Sequence, residues 1–87
     1  MHVFQDPDIN ALPTYLQELF LVSKPLVSRE DAESLTSRAV AAGTLANSDS
    51  RNEGPKNRIR VGRRVFYPRR DFILWFAARV KEVGSGK

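Results

Sequence analysis

Cysteine is absent from this 87-residue chain, so neither a disulfide nor a zinc–thiolate site can staple the fold. Histidine is nearly absent: His2 stands alone, and one imidazole cannot make a metal site of ordinary composition or supply the base of a catalytic triad. Ser28 and Ser37 are therefore left without a partner that would make either a nucleophile. No apolar run approaches the ~18 residues of a membrane span, and no apolar stretch with a cleavage site marks secretion. Together these absences predict a non-enzymatic, cytoplasmic protein with no metal, no cofactor and no membrane association. Acid is scarce in one region only. Between Arg51 and Arg70 the single acidic residue, Glu53, stands against eight basic ones.

The charge is divided unevenly along the chain. Residues 1–40 hold three basic and six acidic side chains, net −3, whereas residues 41–87 hold eleven basic and four acidic, net +7. A chain tuned only for solubility mixes its signs, and positive charge gathered on one half suits a polyanion. Inside the basic stretch, Ile59-Arg60-Val61-Gly62-Arg63-Arg64-Val65-Phe66-Tyr67 reads as two short β-prone segments about a glycine turn. A loop of Gly62, Arg63 and Arg64 would pair Val61 with Val65 and Ile59 with Tyr67. All four then face the core, while Arg58, Arg60 and Phe66 face outward.

Around this hairpin the pattern is helical. Residues 1–10 are polar, contain Pro7 and show no period, which predicts a flexible arm. Leu12, Tyr15, Leu16, Leu19 and Phe20 recur at helical spacing over residues 12–22, with Pro13 at the first turn and Gln17 and Glu18 turned to water. Ser28 is a good N-cap, followed by Glu30 and Asp31 in a first turn and by Ala32 and Leu35 on one face, with an end near Thr36. A third helix over residues 42–52 has mediocre propensity and a thin inward face at Leu45 and Ser48. Asn52-Glu53-Gly54-Pro55 reads as a turn in which the glycine takes a positive φ. The strongest helix runs over residues 69–83, with Phe72, Trp75, Phe76 and Val80 on one face and Ile73 beside it. Residues 84–87 read as a flexible tail, so that residues 11–83 make one domain.

The order helix, turn, helix, arginine-tipped hairpin, aromatic helix resembles a winged helix-turn-helix. The residues resemble in particular the small excisionase-like and AlpA-like DNA-binding proteins of phages and mobile elements, of the MerR-type winged-helix group. The matching parts are Ser28 to Leu35, Gly43-Thr44-Leu45-Ala46-Asn47, Gly54-Pro55, the block from Arg60 to Tyr67, and Arg70-Asp71-Phe72 with Trp75. This implies a mainly α fold with a two-stranded β-hairpin (an α+β class). It also implies binding to double-stranded DNA, in the company of a recombinase or the transcription machinery, as a homo-oligomer on the DNA. Two positions depart from the pattern. Ser48 stands where the family usually has a large apolar residue and Asp49 where it often has a basic one, which implies a helix that draws phosphates less strongly.

On this reading the helix over residues 42–52 enters the major groove and offers Thr44, Asn47, Ser50 and Arg51 to base edges or flanking phosphates. Arg63 and Arg64 lie along the adjacent minor groove, and Lys56, Arg58, Arg60 and Arg70 meet backbone phosphates. Two rival readings use the same residues. One is a protein-interaction module built on the 12–22 helix with Phe66, Ile73 and Leu74 as apolar contacts; the other is RNA binding through the basic hairpin.

Overall fold

The computed structural model describes residues 5–82. In chain order its elements are α1 (Pro7–Asn10), α2 (Thr14–Val22), β1 (Leu26–Ser28), α3 (Arg29–Leu35), α4 (Ala42–Ser50), β2 (Ile59–Val61), β3 (Arg64–Pro68) and α5 (Arg69–Arg79). They form an α+β domain whose antiparallel sheet has the strand order β1-β3-β2.

The sheet has three strands where a two-stranded hairpin is expected. Leu26–Ser28 is too short to announce itself by alternation, yet Val27 lies opposite Tyr67, Ser28 lies opposite Phe66, and both Val27 and Tyr67 are wholly buried. The hairpin register also differs. Gly62 and Arg63 alone make the loop, so Val61 faces Arg64, Arg60 faces Val65 and Ile59 faces Phe66. Gly62 has φ 62° at the first central position, the glycine-demanding position of a type II′ turn, whose twist suits the flanking strands better than a longer loop. This shift sends Ile59 and Val61 to the outer face, 39% and 59% exposed, instead of into the core. Phe66 is half-buried there, with the Arg64 guanidinium 5.0 Å above its ring, a cation–π contact that offsets part of the exposure.

The segment expected as a loose arm contributes α1. Asp6 accepts a hydrogen bond from the Asp8 amide at 3.0 Å, and Pro7 takes the start of the turn, where its missing N–H costs nothing. Ile9 is wholly buried, and Arg70 holds the turn down through Asp6 and Asp8. A single apolar residue makes no period, which is why this turn is invisible in the sequence pattern. Gln17, expected in water, is half-buried and donates to the carbonyls of Asn10 and Leu12 at 3.0 and 2.9 Å, joining α1 to α2.

Ile9, Val27, Ala32, Val40, Leu45, Tyr67, Phe72 and Ile73 form the core, with Phe20, Leu35, Val65, Leu74, Trp75 and Phe76 among the half-buried side chains around it. Ile73, expected at the margin of its helix and free for contacts, belongs to the centre. Helix α5 stops at Arg79, because Val80 adopts extended backbone (ψ 132°). Its first residue, Arg69, is spent on structure: its guanidinium lies 4.3 Å above Phe20 and donates to the Ser23 carbonyl at 3.3 Å. Among the described residues no helix is long and apolar enough to cross a membrane. Residues 1–4 and the expected tail at 84–87 lie outside the described residues.

Because Ile9 fills the core from a segment that reads as an arm, Ile9→Ala should lower the unfolding free energy by about 2–4 kcal/mol. Urea denaturation checks this, and an unchanged midpoint would mean that α1 does not pack.

Candidate functional site

Helix α3 begins with a full capping box. The Ser28 hydroxyl accepts from the Asp31 amide at 2.9 Å, and an Asp31 carboxylate oxygen accepts from the Ser28 amide at 3.2 Å. It ends in a Schellman arrangement: the Arg38 amide donates to the Glu33 carbonyl at 2.7 Å and the Ser37 amide to that of Ser34 at 3.2 Å. Ser37 and Arg38 both have positive φ, 53° and 69°, so the chain reverses sharply without a glycine. The Thr36 hydroxyl donates to the Ala32 carbonyl and accepts from the Val40 amide, which carries the turn through to buried Val40 and on to α4.

Helix α4 has two unlike faces. Leu45, Ser48 and Asp49 are buried, whereas Gly43, Asn47 and Ser50 are exposed. Ser48 is core-facing as its spacing predicts. Asp49, expected to make this helix draw phosphates less strongly, is buried and not on its exposed face. One Asp49 oxygen, Oδ2, accepts from Arg29 Nη2 at 2.7 Å and from the Tyr67 hydroxyl at 2.5 Å, and Arg29 Nε donates to the same hydroxyl at 3.0 Å. The triangle joins the first residue of α3, the last turn of α4 and the middle strand of the sheet. The other oxygen, Oδ1, is buried without a hydrogen bond and lies 3.9 Å from Arg58 Nη1.

Helix α4 ends in a second Schellman arrangement. The Glu53 amide donates to the Ser48 carbonyl at 2.8 Å and the Asn52 amide to that of Asp49 at 3.0 Å. The positive φ, expected at Gly54, belongs to Asn52 at 58°. Gly54 is needed for another reason: a Cβ there would lie 2.1 Å from Asp49 Oδ1. Trp75 Nε1 donates to the Glu53 carbonyl at 2.8 Å, so α5 braces the same turn.

The residues expected to contact a polyanion fall into distinct environments. Asn47 is exposed, and its amide has no partner among the described residues; Thr44 is half-buried. The Ser50 hydroxyl donates back to the Asn47 carbonyl at 2.8 Å, and Arg51 pairs with Glu53 at 3.0 Å. Lys56, Arg60 and Arg63 are exposed, with no hydrogen-bond or ion-pair partner among the described residues. Arg58 is exposed near Asp49, and Arg64 stands 3.5 Å from the exposed Glu30. Arg63 and Arg64 line a shallow recess of about 100 Å³ with Arg29, Glu30 and Val65, which sets the hairpin tip beside the start of α3.

Arg70 is set apart from that group. It pairs with Asp6, with Asp8 at 2.5 Å and with Asp71 at 3.9 Å, and its guanidinium hydrogen-bonded to Asp6 holds that carboxyl below the ordinary range. Three carboxylates leave it little charge for an external phosphate. Asp6 and Asp8 lie over 60 residues away along the chain, beyond the reach of local sequence patterns. Among the described residues no group of three or more His, Cys, Asp or Glu side chains converges in a way that could hold a metal ion.

Sequence patterns pass over Arg29 and the hydroxyl of Tyr67, a residue expected in the core and found there; with Asp49 the two fix the angle of α4. The one local signal was an acid at a helix position otherwise flanked by inward residues, Leu45 and Ser48. Burial, followed by the hydrogen bond to Asp49, pushes the Tyr67 hydroxyl up to about 12. The folded state therefore holds this proton more tightly than the unfolded chain does. The stability it confers is complete below pH 10 and lost as pH rises from 10 to about 12. Two pH units correspond to roughly 2–3 kcal/mol, a loss that alkaline denaturation followed by tyrosinate absorbance should show and Tyr67→Phe should abolish.

Gly54→Ala should cost about 1–3 kcal/mol, since the methyl group meets a buried carboxylate whose other oxygen is held by Arg29 and Tyr67. A thermal midpoint equal to that of the parent would contradict this packing. Searches among protein-family models, curated proteins and solved structures find no match to this chain.

Proposed function

We propose that this chain is a winged helix-turn-helix protein that binds double-stranded DNA sequence-specifically, with α3 and α4 as the helix-turn-helix, α4 in the major groove and the β2–β3 hairpin as the wing. The observation that carries this reading is the pairing of a basic hairpin with a polar helix face. Arg60 and Arg63 stand free of partners among the described residues, Arg58 and Arg64 flank them, and the one acid of α4 is turned inward and matched by Arg29. A polyanion approaching the outer face of α4 meets no carboxylate on that helix. The wing arginines lie along the minor groove or its phosphate walls, and Lys56 and Arg51 add phosphate contacts at the edges. Arg70 is assigned to anchoring α1 and not to the DNA. The protein carries out no chemistry of its own; it marks or shapes a site for a recombinase or for the transcription machinery, with copies assembling on DNA.

A protein-docking reading draws on a different part of the surface. Leu21, Val22 and Leu26 are 41%, 71% and 40% exposed where α2 runs into β1. That patch is compatible with a partner bound while the basic face holds DNA, so it adds to the DNA reading more than it competes with it.

The test is a salt series with random-sequence duplex DNA. Five or six neutralised phosphates give a log–log slope of roughly −4 to −6, and Arg63→Ala/Arg64→Ala should flatten it by about 2 while weakening binding at every salt concentration. An absence of binding at low salt, or a double variant indistinguishable from the parent, would overturn the proposal. Preference for single-stranded RNA over duplex DNA would move the same hairpin to the RNA reading.

A further inference from the structure

The polar side chains of α4 are not equivalent, and the differences single out one of them. Ser48 and Asp49 point inward. The Ser50 hydroxyl is engaged at the Asn47 carbonyl, Arg51 is paired with Glu53, and Thr44 is half-buried with only one hydroxyl to offer. Asn47 alone presents an unengaged donor and an unengaged acceptor at the end of one exposed side chain.

Its setting favours close approach. Gly43 lies one turn earlier on the same face, has no positive φ, and a Cβ built there meets nothing within 4 Å. Gly43 is the second residue of α4, and neither a positive φ nor a close neighbour demands glycine there. What its absent side chain provides is a gap on the outer surface beside Asn47. On the other side, two residues along a helix turn by about 200°, so Asn47 points away from the buried Asp49 that fixes the helix. The amide is thus presented by an element whose rotation is locked by the Arg29–Asp49–Tyr67 triangle. An amide held in this way matches the N6 donor and N7 acceptor of adenine in the major groove, which takes Asn in a two-bond pairing.

We propose that Asn47 is the specificity-determining residue of α4 and selects an adenine in the major groove. This rests on the DNA-binding reading, and the experiment separates the two. Duplexes selected from a randomised pool by the wild-type protein, Asn47→Ala and Asn47→Gln are sequenced, and affinities are measured for the selected site and for random duplex. The wild type should enrich one invariant A·T pair. Replacing its adenine by 7-deazaadenine, which lacks the N7 acceptor, should weaken binding roughly 5- to 150-fold. Asn47→Ala should lose the constraint at that pair alone and be insensitive to 7-deazaadenine. Asn47→Gln should keep an adenine preference, since glutamine offers the same pair of groups. An A·T pair still selected by Asn47→Ala, or a wild-type site with no pair that depends on Asn47, would overturn this inference and leave general DNA binding intact. If no variant binds random duplex at low salt, the DNA reading itself fails.

Discussion

A carboxylate buried at the end of a short, weakly helical segment is costly to keep unless it is matched by hydrogen-bond donors and charge. Asp49 is matched on one oxygen by Arg29 and Tyr67, and the orientation of α4 follows from where those two donors stand. Arg29 is the first residue of α3, placed by the Ser28–Asp31 capping box, and Tyr67 belongs to the middle strand. The helix pair and the sheet are therefore set against each other by directed hydrogen bonds as well as by apolar packing. That matters for α4, whose inward apolar side chains are few. Removing one member of a buried pair leaves the other unmatched, at a cost of about 3–5 kcal/mol, a large share of what a domain this small can hold.

The same interaction disposes of the charge that would oppose a polyanion. With its one acid turned inward, α4 presents glycine, asparagine and serine outward, and the positive field comes from the neighbouring hairpin. Gly54 and the Asn52 turn let the chain pass close over the carboxylate on its way to Arg58 and β2. The β2–β3 hairpin thus follows directly from the spot where α4 is anchored, and Arg58 lies near enough to the unmatched oxygen to feel its charge. The hairpin itself is placed by the pairing of β3 with β1.

Much of the architecture was legible in local chemistry. Ser28 as a cap, the inward Leu45 and Ser48, the proline-bounded α2 and the aromatic α5 all follow from periodicity and capping alone. The missed features depend on partners distant along the chain. Leu26–Ser28 becomes a strand only because β3 lies beside it, and Ile9 is core because α1 packs against α5, where Arg70 also meets Asp6 and Asp8. The hairpin register turned on the preference of Gly62 for a two-residue loop, against an apolar alternation that argued for a longer one. For the candidate site, the basic hairpin and the exposed Asn47 were readable in the sequence, whereas the division of labour among the arginines was not. Arg69 and Arg70 look like the others in sequence and are committed to Phe20 and to three carboxylates in the fold.

Amide chemical-shift mapping of the full chain titrated with a short DNA duplex tests whether α4 and the hairpin form one DNA-binding face. Perturbations should concentrate at Gly43, Asn47, Ser50 and the hairpin from Arg58 to Arg64, with the Arg70–Asp6–Asp8 cluster and the exposed end of α2 unmoved. Perturbations confined to α2 and β1, or to the cluster around Arg70, would contradict such a face.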